Sequence, residues 1–182
     1  MNPSLIPVAP GFDEPLEMLE ACHERLQSQL QTLDRLARWL PEHGADPEAS
    51  RAAEGIMRYF DVSAVNHHLD EERDLFPVLL ERVGASRRLS LESLVEWILE
   101  DHQRMFAGWA EMRQRLDAIV RGEPHDLPLE ETARFTERYV FHIGREEGEL
   151  FPFARDLLTD DDIARLGLSM TRRRRPPAPG GQ

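Results

Sequence analysis

His67-His68-Leu69-Asp70-Glu71-Glu72-Arg73-Asp74-Leu75-Phe76-Pro77 has a second copy in the same chain, His142-Ile143-Gly144-Arg145-Glu146-Glu147-Gly148-Glu149-Leu150-Phe151-Pro152. In both copies a phenylalanine, Phe60 or Phe135, stands seven positions before the first histidine. The upstream pieces pair as well, Leu19-Glu20 with His23 against Leu99-Glu100 with His102. The chain therefore reads as two helical hairpins of one pattern, which predicts a site near a pseudo-two-fold axis. Within each copy the histidine and glutamate are four residues apart, about one helical turn, so both project from the same face.

Working outward, four segments carry helical periodicity: residues 14–40, 47–82, 90–120 and 128–158. In the first, Leu16, Leu19, Leu26, Leu30, Leu33, Ala37 and Leu40 form one apolar stripe, broken at His23. In the second, Ile56, Phe60 and Ala64 lead into His67 and Glu71, and Leu75 and Val78 lead out. The third carries Val95, Ile98, Met105, Trp109, Met112, Leu116 and Ile119, broken at His102. The fourth carries Phe135, Leu150 and Phe153, broken at His142 and Glu146. Short loops rich in Pro and Gly, at residues 41–44 and 122–125, imply antiparallel neighbours. The expected fold is all-α, an antiparallel up-down-up-down four-helix bundle over residues 14–158. A short capping helix at 159–168 should follow, starting at Thr159-Asp160-Asp161-Asp162 and ending at Gly167. Residues 169–182 read as a disordered basic tail, with weak docking as the alternative, because Arg172 to Arg175 precede a Pro- and Gly-rich end.

The interruptions carry the chemistry. Two helices offer His plus Glu, and two offer one His each. Counted from the helix ends at ~1.5 Å per residue, all six fall within roughly two turns of one level in an antiparallel bundle. A lone buried histidine is more often a core residue bonded to a carbonyl than a ligand. Two buried glutamates alter that balance, because an unpaired buried carboxylate is costly and no arginine shares their stripes. Cations resolve the cost, and iron or manganese accepts this mixture of imidazole nitrogen and carboxylate oxygen. The expected metal ligands are His23, His67, Glu71, His102, His142 and Glu146. His68 and Glu72 form a rival pair but lie off the stripe, and the second copy has Ile143 in place of His68. Glu72 and Glu147 are read as solvent-facing charges that could also support the ligands. His43 and His125 are read as surface loop residues, and Trp97, Met105, Phe106 and Trp109 as core packing.

The order His23, His67 with Glu71, His102, His142 with Glu146 resembles the hemerythrin-like, or HHE cation-binding, domain family over about residues 14–158. That resemblance implies two non-haem iron ions with an oxo or hydroxo bridge. His23 and His67 would hold one, His102 and His142 the other, with Glu71 and Glu146 bridging. The oxygen-carrying hemerythrins have a further histidine four residues after the third-helix one, where this chain has Phe106. This departure leaves room on both ions for an exogenous ligand. The expected function is to bind or sense a small oxidant or gas: dioxygen, nitric oxide or peroxide. Iron homeostasis or donation is the alternative, and a di-iron oxidase or peroxidase a further one.

The remaining composition narrows the partners. Twenty-two basic against 34 acidic residues give a formal charge of −12, which disfavours nucleic acid and anionic membrane. A single cysteine, Cys22, excludes an internal disulfide and a cysteine-built zinc site. No signal-peptide pattern or long apolar run is present, so a cytoplasmic location is expected. No protein partner is legible.

Overall fold

The computed structural model describes residues 10–123 and 126–175. His125 and the Pro- and Gly-rich end, residues 176–182, lie outside the described residues. All regular structure among the described residues is helical. The first rod is α1 (Pro15–His43). The second is a continuous run of α2 (Pro47–Arg58), α3 (Val65–Asp70) and α4 (Phe76–Arg82), joined by π turns at Tyr59–Ala64 and Glu71–Leu75. The third rod is α5 (Ala85–Val120). The fourth joins α6 (Leu129–Arg145) to α7 (Phe151–Leu157) through a π turn at Glu146–Leu150. A final helix, α8, spans Asp160–Arg173. No described helix is long and apolar enough to cross a membrane.

Elementary capping rules account for most boundaries. Asp46 accepts from the amides of Glu48 and Ala49 to start α2, with Pro47 at the first helical position. Gly44, at φ 66°, ends α1 where other residues would be strained. Pro41 does not stop α1 as expected from sequence. It sits in the last turn, where its fixed φ suits a helix and only one ladder bond is lost. Thr159 and Asp162 form a reciprocal capping box at the head of α8.

The apolar core comes in two blocks. One joins Leu26 to Leu40 of α1 with Ala49 to Ala64, Met105 to Ile119, and Phe135, Tyr139 and Ile143. The other joins Leu16 and Leu19 with Leu75, Phe76, Leu79, Leu91 to Ile98, Leu150, Phe151 and Ala154, plus Leu166 and Met170 from α8. Every rod contributes to both blocks. Where each rod passes from one block to the other it carries the histidines and glutamates singled out above.

The π turns alter the faces the rods present. A π turn closes over one residue more than an α turn, so a stripe extrapolated at 3.6 residues per turn slips by one position beyond it. Beyond Glu71–Leu75 the buried residues are Phe76 and Leu79, and Val78 is only half-buried. Beyond Glu146–Leu150 they are Phe151 and Ala154, with Phe153 half-buried. Both sequence stripes were one residue out of register there.

The C-terminal helix also departs from expectation. It continues through Gly167 to Arg173 rather than ending near residue 168. Gly167 is inside the helix because a Cβ there would lie 1.8 Å from the Phe12 carbonyl oxygen. Arg173 and Arg174 of the arginine run are docked rather than solvated. Arg174 Nη2 donates to Asp70 Oδ2 at 2.6 Å, Arg173 Nη2 to Asp74 Oδ2 at 2.5 Å, and Arg173 also pairs with Asp70. Asp70 is fully buried, so its carboxylate needs these cations.

A Gly167→Ala substitution should destabilise the protein by about 1–3 kcal/mol by overpacking against Phe12. Urea denaturation would show it as a lowered midpoint with an unchanged slope, and a wild-type midpoint would contradict the close approach.

Candidate metal centre

His23, His67, Glu71, His102, His142 and Glu146 all meet between the two apolar blocks, and none is more than 3 % exposed. α1 delivers His23 and α5 delivers His102. α3 delivers His67 and hands Glu71 to a π turn, and α6 does the same with His142 and Glu146. Both glutamates therefore begin a π turn, a distortion often found at functional positions.

The histidines face one another in pairs. His23 Nε2 lies 3.0 Å from His67 Nε2, and His102 Nε2 lies 3.1 Å from His142 Nε2. Each glutamate reaches both pairs. Glu71 Oε1 is 3.5 Å from His67 Nε2, and its Oε2 is 3.6 Å from His102 Nε2. Glu146 Oε2 is 3.1 Å from His23 Nε2, and its Oε1 is 2.9 Å from His142 Nε2 and 3.7 Å from His102 Nε2. All four carboxylate oxygens are buried without an aligned hydrogen bond. Among the described residues no arginine reaches either glutamate.

The outer nitrogens set the tautomers. His23 Nδ1 faces Glu147 at 3.0 Å, His102 Nδ1 faces Glu72 at 2.7 Å, and His142 Nδ1 faces Asp101 at 3.2 Å. A neutral ring that donates from Nδ1 presents a bare Nε2 inward. His102 and His142 then point two lone pairs at each other across 3.1 Å. Such an arrangement calls for a cation between them, and carboxylates behind ligating histidines are a recurrent support for metal.

In the metal-free chain, protons take the cation's place. Burial, reinforced by Glu146 and Asp70, pushes the Glu71 carboxyl far above the usual range. Burial also opposes ionisation of Glu146, but His142, His102 and His23 hold it well below that range. His142 pays for burial yet rises to about 9, because Glu146 and Asp101 favour its charged form. Burial, reinforced by the neighbouring histidines, pushes His67 and His68 far below the ordinary histidine value. Cations entering this layer must displace those protons. The donor set fits a cation pair: four imidazole nitrogens, four carboxylate oxygens and, among the described residues, no arginine in contact with them.

Sequence reasoning misplaced one residue. His68, read as lying off the stripe, is 2 % exposed. It groups with His102 and His142, their ligand atoms all within 4.8 Å of one another, while His23, His67, Glu71 and Glu146 form the companion group. Positions 67 and 68 both face inward, as positions 142 and 143 do in the second copy, where no π turn precedes them. A clue was present in the second copy: Ile143, an apolar residue at the matching place, is itself buried. Asp101 was also overlooked. Its Oδ1 accepts from Arg138 at 2.6 Å while Oδ2 holds His142. Glu72 and Glu147 are partly exposed, as expected, yet each holds a ring. His43 is exposed at the end of α1 and stacks on Trp39 at 3.7 Å. Met105 and Trp109 are core, whereas Phe106 reaches the surface and touches the His68 ring edge-on at 5.1 Å.

Fold and site together define a helical protein equipped to bind cations. The chain matches the hemerythrin HHE cation-binding domain over residues 14–154 and belongs to that family. It is also similar to an uncharacterized protein of Haemophilus influenzae, 31 % identical over 163 residues that cover 90 % of this chain and 91 % of the relative.

In the metal-free protein, NMR titration should find His142 with a pKa of about 9, falling by about one unit or more in Asp101→Asn. A raised folded-state pKa means this histidine stabilises the metal-free chain fully below the unfolded value of roughly 6.5. That contribution disappears as pH rises through about 9. An unshifted pKa in the variant would show that Asp101 does not hold the ring.

Proposed function

We propose that this chain is a non-haem di-iron protein that binds or senses a small oxidant or gas: dioxygen, nitric oxide or peroxide. The observation that carries the reading is the division of each buried carboxylate between two histidine pairs, one oxygen turned to each. Two ions sharing both glutamates satisfy all four oxygens, whereas a single ion leaves some of them stranded. His23 and His67 would hold one ion, His102 and His142 the other, and Glu71 and Glu146 would bridge them, with an oxo or hydroxo group as a further bridge.

Bound iron would supply reversible one-electron chemistry and coordination positions open to a small ligand. The chain supplies the rest. Glu147, Glu72 and Asp101 orient the rings and keep protons on Nδ1, away from the ions. The apolar blocks on either side limit water. Phe106 offers no donor four residues beyond His102, which favours ligand response over oxygen carriage. We further infer that the four rods form an up-down-up-down bundle, since the start of α1 shares a block with the end of the second rod, the start of α5 and the end of the fourth. The acidic surface and lone cysteine favour action in the cytoplasm with a small molecule rather than nucleic acid or membrane as partner.

Aerobically purified protein should carry two irons per chain with an oxo-bridge absorption, and the reduced form should change its visible spectrum on adding oxygen or nitric oxide. His102→Ala should lose about one iron, and chelation should lower the melting temperature, because Glu71 and Glu146 are then buried without partners. No spectral response to either gas would rule out gas or oxidant binding. Free iron exchange at physiological levels would instead support an iron-handling role.

A further inference from the structure

The two halves of the centre obey the internal repeat except at two places, and both exceptions fall on the same half. Before His102 stands Asp101, which holds the His142 ring. Before His23 stands Cys22, and the matching nitrogen, His67 Nδ1, has no partner. After His67 comes His68, whereas after His142 comes Ile143. The His68 ring lies on the His102 ring, centroids 4.0 Å apart and planes 20° from parallel, so it belongs to the His102 and His142 half. Its Nδ1 is buried without a hydrogen bond, which is costly for a polar atom.

We infer that His68 is a third nitrogen donor to the ion held by His102 and His142, so that the two ions are inequivalent. This rests on the di-iron reading above. Counting donors gives the consequence. With two histidines, two carboxylate oxygens and a solvent bridge, each ion keeps one place open; His68 closes that place on its own side. The exchangeable position then belongs to the ion held by His23 and His67. That side adjoins a cleft of about 600 Å³ whose walls include Cys22 and Asn66, the chain neighbours of those two ligands, and Tyr59. Its lining also includes Arg25 and Arg175 besides the Asp70-bound Arg173 and Arg174, a basic surrounding suited to a small anion.

Loading the full chain with iron-57 tests this by iron content, Mössbauer spectroscopy and azide titration together. Wild type should hold two irons, show two quadrupole doublets of equal area, and bind one azide per chain. His68→Leu should keep two irons, bring the doublets closer together and bind a second azide. His68→Gln provides the same readout if the leucine variant does not fold. Because Asp101 also separates the halves, the change between wild type and variant is the deciding measurement. Two irons in a single wild-type doublet, or variants with both doublets and the azide count unchanged, would overturn the role of His68 while leaving the di-iron reading intact. Fewer than two irons in wild type would overturn both.

Discussion

Two carboxylates buried among apolar helices, with no arginine in contact among the described residues, constrain everything else in this protein. Glu71 and Glu146 are fully buried, facing imidazoles and each other. The core is accordingly split: hydrophobic blocks above and below supply the folding energy, and the layer between them is reserved for charge. Such a layer is tolerable only when something positive completes it. Protons on His23, His142 and Glu71 do so in the metal-free chain, and cations do so better, because each can meet several oxygens and nitrogens at once. Membership of the HHE cation-binding family agrees with that requirement.

The three π turns show how the backbone serves this layer. Two of them begin at the buried glutamates, in matching places of the repeat, and the third lies just before His67. Each inserts a residue without breaking the rod. His67 and His68, which follow the Tyr59–Ala64 turn, are both buried. Around this layer the repeat makes reciprocal use of its second acidic residues: Glu147 of one copy holds His23, and Glu72 of the other holds His102. Near-symmetry therefore extends past the inward-facing atoms to the groups that orient them, and breaks at Asp101 against Cys22, at His68 against Ile143 and at the π turn Tyr59–Ala64, which α6 lacks.

The C-terminal helix belongs to the same design. Asp70, adjacent to Glu71, adds a further buried negative charge that raises the cost of ionising Glu71. Arg173 and Arg174 neutralise it from the end of α8, and that helix is held in place by its Thr159–Asp162 cap, by Arg82 on Asp162 at 3.1 Å, and by the close approach of Gly167 to the Phe12 backbone. A segment that looks by composition like a solvated tail is thus, as far as Arg174, a counter-charge for the turn carrying Glu71.

The sequence by itself determined the helical class, the four rods and the six residues that meet, because helical periodicity and repeated motifs are local properties of the chain. It also determined that the two glutamates would lack basic partners, since no arginine shares their stripes. Only the tertiary structure decided the inward turn of His68, the one-residue slips beyond Glu71 and Glu146, the attachment of Asp101 to His142 and the docking of Arg173 and Arg174 on Asp70. A π turn has no sequence pattern that periodicity can register, and it moves every later side chain around the helix. A long-range ion pair exists only once packing has set which buried acid needs a cation and which arginine can reach it.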